Sequence, residues 1–281
     1  MLVVARLVLV EAARRRLVLA VIALTVLAVA LTAWGFSRIP YIGKEPLPPA
    51  EVMLVASQLT ILVAFMFSFV LALSAVFVAA PAISGETESG IALAVLARPL
   101  SRSGYVLGKW LGLAALLAVY AAGSVALELV AIRVAVGYAP PAPVTACVYL
   151  YLESLVLLTL GLALSTRLSG MVGGVVALVL FGMTWIAGIV GGVGQLFGND
   201  TLVRVGTVVK LLLPTDGLWR GAVYALEPGS VFAVARAAGP ASAANPFYAP
   251  DAPAVAFDVW AVAWIAVMLG VALWSFHARE V

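Results

Sequence analysis

The stretch Pro81–Trp110, PAISGETESGIALAVLARPLSRSGYVLGKW, decides how the chain is read. It carries Glu86, Glu88, Arg98, Arg102 and Lys109, yet it lies between two apolar runs each long enough to cross a bilayer. A polar segment of this length between two such runs belongs in water. The chain is therefore organised around a solvent-facing segment that joins two membrane spans.

Composition agrees. Of 281 residues 64% are hydrophobic and 10% charged, with a formal charge of +3 and a mean hydropathy of +1.16. A soluble domain of this size carries about a quarter charged residues, so the sequence reads as an integral membrane protein. Its one cysteine, Cys147, excludes an intrachain disulfide and a cysteine metal cluster, and reads as an apolar filler.

Working outward, residues 1–16 mix apolar side chains with Arg6, Glu11, Arg14, Arg15 and Arg16, the pattern of an amphipathic helix on an anionic membrane face. Spans are predicted at 17–36, 52–80, 107–136, 144–164, 171–193 and 258–276. The first is longer than a signal-peptide core. Trp260, Trp264 and Trp274 near the ends of the last are expected to anchor at interfaces. Residues 194–257 are too charged to span; within them 201–213 and 216–227 read as short amphipathic helices parted by Pro214, anchored by Trp219 and Tyr224 at the outer interface. Lone His277 reads as an interfacial residue. Six spans put both termini on one face. That face holds nine Lys and Arg residues, whereas the short loops opposite hold Arg38 and Lys44 alone. The positive-inside rule makes it cytoplasmic, together with 81–106, and makes 194–257 extracytoplasmic.

Within the central stretch Ser84 reads as a helix N-cap, Glu86 and Glu88 as first-turn acids favoured by the helix dipole, and Pro99 as the stop at Arg98. Here the residues resemble those of the type-2 ABC exporter permeases, which carry after their second span E-x-E-x-G-T, leucines, P-[IVL]-S-R, an aromatic residue and G-K. This chain has Glu86-Thr87-Glu88-Ser89-Gly90-Ile91, Leu93, Leu96, Pro99-Leu100-Ser101-Arg102, Tyr105 and Gly108-Lys109, with Ile91 in place of the usual threonine. The resemblance includes the amphipathic N-terminus and the six-span layout, and is closest to the permease subgroup of the nitrous-oxide-reductase maturation system.

The resemblance implies an all-α polytopic permease in which 81–106 is a coupling helix docking on a separate ABC ATPase. Glu86, Glu88, Gly90, Arg98, Pro99, Arg102 and Lys109 are its expected coupling residues. It also implies a second permease copy or paralogue, with the second and fifth spans along the pathway. No G-x-x-x-x-G-K-[ST] occurs, so ATP and Mg belong to the partner and this chain is expected to hold no cofactor and catalyse nothing. Membrane lipid is an expected partner and nucleic acid is not. A non-transporting anchor or regulatory subunit, or an ion-coupled transporter, are the alternatives.

Three ionisable residues fall inside spans: Glu128, Arg133 and Glu153. The third and fourth spans form a hairpin whose centre is equidistant from the two glutamates, so they are expected at similar depth. Either they share a proton or cation, or Arg133 pairs with one and a Tyr, Ser or water satisfies the other. The second reading is preferred because buried charges are usually paired. Gly170, Gly174, Gly188 and Gly192 make two G-x-x-x-G pairs suited to close helix packing, with the outer glycines permitting a break or re-entrant turn. Gln58 in the second span is expected to face the pathway or another helix.

Overall fold

A computed structural model describes residues 1–14, 16–90, 101–229, 231 and 239–278. Residues 91–98 of the predicted coupling helix, with Pro99, lie outside the described residues. The long apolar runs become helices with few interior breakers, bounded by prolines at first turns and glycines at last ones. In order these are α1 (Leu2–Arg14), α2 (Arg16–Ser37), α3 (Pro49–Ala79), α4 (Pro81–Glu88), α5 (Arg102–Val136), α6 (Pro143–Ser165), α7 (Gly170–Phe197), α8 (Asp200–Leu212), α9 (Thr215–Leu226) and α10 (Val255–His277). Six helical segments are long and apolar enough to cross a membrane, starting at Val21, Pro49, Arg102, Pro143, Gly170 and Val255.

The core is built on α6. Every residue from Glu153 to Ala163 is buried there, because α3, α5, α9 and α10 surround it. Trp110 on α5 donates its indole N–H to Thr159 at 2.9 Å, and Tyr151 donates to the Ala114 carbonyl at 3.2 Å. An aromatic row ties α3 to α7 and α9: the Phe65 ring lies 5.2 Å from Phe69, 5.7 Å from Trp185, 5.4 Å from Trp219 and 5.0 Å from Phe247.

At the N-terminus α1 lies against the start of α5, where Gly104, Gly108 and Gly112 repeat every fourth residue. Val4 and Val8 are buried on this stripe; a Cβ on Gly108 would come within 2.6 Å of the Val4 Cβ. Leu2, Val3 and Leu7 are exposed on α1.

Several expectations need correcting. Ser84 does not cap a helix. Pro81 opens α4 three residues earlier, at the first-turn position where its missing N–H costs nothing. Ser84 Oγ instead donates to the Ala80 carbonyl at 3.2 Å. The amides of Ile83 and Ser84 both donate to Ser165 Oγ, at 3.0 Å each, so α6 supplies the cap from a distance. No break occurs in α7, which runs through its glycines to Phe197 and ends at Gly198, φ 64°. Asn199 Oδ1 then accepts from the amides of Thr201 and Leu202, starting α8. That helix folds back along α7 with Gly206 packed on Gly191: a Cβ on Gly206 would stand 2.7 Å from the Gly191 Cα.

Nor is α9 a surface helix. Trp219 is 1% exposed and donates to the Pro246 carbonyl at 2.8 Å, because α9 packs between α6 and α7. Trp264 is likewise buried, not an interfacial anchor. It donates to the Leu212 carbonyl at 2.8 Å and Trp260 donates to the Leu211 carbonyl at 3.0 Å, capping the last turn of α8.

Candidate functional site

The two described ends of the central stretch, 81–90 and 101–110, form a clasp. The Glu86 carboxylate on α4 accepts hydrogen bonds from Tyr105 Oη and Lys109 Nζ, both on α5. The spacing makes this possible, since Tyr105 and Lys109 are one helical turn apart and present both donors to one side. The Lys109 side chain is 9% exposed and that of Glu86 22%. The Tyr105 ring stacks on Phe276 of α10, centroids 5.6 Å apart, and Lys109 Nζ lies 5.7 Å from the Tyr105 centroid.

A second set of bonds joins the same elements. Arg102 Nη1 donates to the His277 carbonyl at 3.2 Å, and Ser103 Oγ lies 3.4 Å from His277 Nε2. Thr166 Oγ1 and Arg167 Nε both reach Ser275 Oγ, at 2.8 and 2.9 Å. His277 thus ties α5 to α10 from the exposed end of its span. Glu88 is exposed beyond the clasp, and Gly90 follows at φ 77°, a conformation that favours glycine. The predicted coupling residues divide accordingly. Glu86, Lys109 and Arg102 are held inside the protein's own contacts, Glu88 and Gly90 project from them, and Arg98 and Pro99 lie outside the described residues.

The charges within the spans do not gather as expected. Arg133 is exposed and joins none of the ion pairs found among the described residues, so its predicted pairing with a glutamate is corrected. Helical phase explains why: five residues separate it from Glu128, about 140° around the axis. Glu153 accepts from Ser68 Oγ on α3 at 2.7 Å, whereas Glu128 accepts from Thr32 Oγ1 on α2 at 3.4 Å and its other oxygen has no partner. Each carboxylate thus has its own partner on a different helix.

The strongest buried charge was missed by sequence reasoning. Asp216, its side chain fully buried, pairs with Lys210 Nζ at 3.1 Å and Arg220 Nε at 3.2 Å; Arg220 Nη2 reaches the Gly188 carbonyl at 3.4 Å. A Cβ on Gly188 would overlap the Asp216 carboxylate, so this glycine makes room for an ion network. The Asp216/Arg220 spacing of four was readable, but a surface placement for this helix made it look like an exposed pair. Gly170 and Gly174 face Pro81 and Ala80 of the same chain, and Gly192 is buried. Gln58 is exposed on α3, on one face with Leu54 and Leu62.

These features define a multi-pass helical membrane protein with a polar clasp at one end of its bundle. The chain belongs to the ABC-2 transporter family: the model of the ABC-2 family transporter protein matches residues 4–281, nearly its whole length. No curated protein matches it. Membership makes it the membrane permease of an ABC transporter, whose ATPase is a partner chain.

Proposed function

We propose that this permease exports its substrate, driven by ATP that the partner ATPase hydrolyses with Mg, and that the partner docks on the 81–106 segment. The clasp carries this reading. It ties the base of α4 to α5 and α10 through Glu86, Lys109, Tyr105 and Phe276, so a push on the segment reaches three spans at once. Glu88, exposed beyond the clasp, is the docking carboxylate, while Glu86 transmits the movement. The chain itself binds no cofactor and catalyses no reaction.

Both termini and the clasp face the cytoplasm across the cell membrane, following the charge bias of the sequence. A second permease copy or paralogue completes the pathway along α3 and α7, whose exposed faces carry Leu54, Gln58 and Leu62, and Val172, Val175 and Val179. The resemblance to nitrous-oxide-reductase maturation permeases rests on the Glu86–Lys109 pattern. Helices α8 and α9 form a re-entrant hairpin in the outer half of the membrane. Its tip is capped by Trp264, thirteen residues from the end of α10, hence about 20 Å from the clasp face.

The test is co-purification with candidate ABC ATPases and measurement of their stimulation. Glu88→Lys is expected to abolish stimulation while the permease still folds. A chain that binds no ABC ATPase, or a Glu88→Lys variant that stimulates normally, overturns the corresponding part of the reading.

A further inference from the structure

At the end of the bundle opposite the clasp, two carboxylates lie inside the protein with no cation paired to them among the described residues. Glu227 is the C-cap residue of α9, its amide donating to the Val223 carbonyl. It is 0% exposed and neither of its carboxylate oxygens has a hydrogen-bond partner. Glu128 is 4% exposed, and its Oε2 has no partner. Among the described residues the ion pairs involve Glu86 and Asp216 only.

Leu226 precedes Glu227 in the chain. It lines the cavity that also holds Glu128 and Thr60. On the other side of Glu227, Pro228 lines a second cavity together with Met53, Leu54 and Tyr138, which reaches the surface at exposed Met53 and Leu54. Glu227 is thus flanked in the chain by residues of two cavities, one of which also holds Glu128.

A charge on either carboxylate is opposed here. Burial without a partner costs several kcal/mol, and the carbonyl end of α9 adds its own partial negative charge beside Glu227. The group that relieves this is a proton. We propose that Glu227 and Glu128 form a proton-binding pair loaded from the membrane face opposite the clasp.

A hydronium ion from that face transfers its proton to a Glu227 carboxylate oxygen, forming O–H and releasing water. A second hydronium ion loads Glu128 Oε2 in the same way, again releasing water. Burial pushes the Glu227 carboxyl up to about 8, the nearby Ala249 amide lowering it in part without closing a hydrogen bond. Burial first, and then the Glu227 charge, raise the Tyr138 hydroxyl to about 12. Tyr138 thus stays protonated, and its hydroxyl donates to the Leu226 carbonyl at 2.9 Å.

Among the described residues, the titratable groups on neighbouring elements leave the two carboxylates uncompensated. Cys147 and Glu153 stand on α6, the latter engaged by Ser68. Exposed Arg133 stands on α5 and exposed Glu51 on α3, while Arg38 follows α2 and lies over the Trp34 ring. Tyr224, Tyr248 and Asp251 hold contacts of their own.

The test is infrared difference spectroscopy on the full chain in sealed vesicles, stepping the pH of one face from about 6 to about 10 around the ordinary and raised carboxyl ranges. Sidedness is read from protease access to the N-terminus, which lies on the clasp face. The expected result is loss of a protonated-carboxyl C=O band when the face opposite the clasp is made alkaline. Glu227→Gln is expected to remove one carboxyl's share and Glu128→Gln the other. In wild-type protein, absence of any protonated-carboxyl band at about pH 6 overturns the proposal, as does a band that responds only from the clasp face. A full band surviving in both variants overturns it as well.

Discussion

The two ends of this bundle treat buried charge in opposite ways. At the clasp, Glu86 meets Lys109 and Tyr105, and every charged side chain drawn inward finds a partner. Between the ends, at the turn joining α8 and α9, Asp216 is neutralised by Lys210 and Arg220; at the far end Glu128 and Glu227 are left with oxygens that have no hydrogen-bond partner. Paired charges fix geometry, because losing one partner strands the other in a poor solvent. Unpaired acids hold a proton and respond to the solution. In the roles proposed for them, one end transmits position and the other holds protons.

The comparison breaks most severely at Asp216. Asp216→Ala leaves Lys210 and Arg220 beside a buried carbonyl face with no counter-charge, and is expected to cost about 3–5 kcal/mol, read as loss of folded protein in thermal unfolding. Gly188→Leu is expected to be equally disruptive, since the Asp216 carboxylate occupies the space its side chain needs.

At the clasp, Lys109→Met is expected to cost about 2 kcal/mol, because Glu86 loses a charged partner but keeps its Tyr105 bond and some contact with water. Adding Glu86→Gln is expected to restore part of the loss, the coupling that a double-mutant cycle measures. Glu88→Lys is expected to leave unfolding unchanged while removing ATPase stimulation, which separates docking from transmission. If Glu88→Lys destabilises the fold as much as Lys109→Met does, the division of labour between the two glutamates is wrong.

How much of this was legible in the sequence follows from what the signal measures. Hydropathy found six apolar runs because a span is a composition, and the Gly90 and Gly108-Lys109 pattern led to the family. Composition cannot report helical phase between segments far apart in the chain. Hence Arg133 was expected beside a glutamate, although its angle about α5 turns it outward. The burial of α9 was hidden because its Asp216 and Arg220 satisfy each other, so a charged helix passes inside. The clasp was half-visible: Glu86 and Lys109 were both singled out, as surfaces for a partner instead of for each other. The stripe Gly104, Gly108 and Gly112 was a readable packing signal whose partner, α1, lay about a hundred residues upstream.

The pH response sharpens the contrast. Glu227 is raised in the folded state, so between its ordinary range and about 8 the folded chain binds more protons than the unfolded chain. Stability is then fully present at low pH and falls as pH rises through about 8, by at most about 1.4 kcal/mol per pH unit. Glu227→Gln is expected to flatten that slope in thermal unfolding between about pH 5 and 8. A slope unchanged in the variant assigns the response to another group.

The smallest effect tests the joint from which the clasp hangs. Pro81 lets the second span continue into α4, but the turn it opens leaves the Ile83 and Ser84 amides dependent on Ser165 Oγ. Ser165→Ala removes an acceptor shared by two buried donors, and the expected cost is about 1–2 kcal/mol. The loss matters more for direction than for stability, since α4 aims Glu86 at Lys109 and Glu88 at the solution. Ser165→Ala is therefore expected to weaken ATPase stimulation more than its small unfolding shift implies, and Ser165→Thr, which keeps the hydroxyl, to restore it. Stimulation that falls only in proportion to stability would mean that α4 is held by the clasp alone.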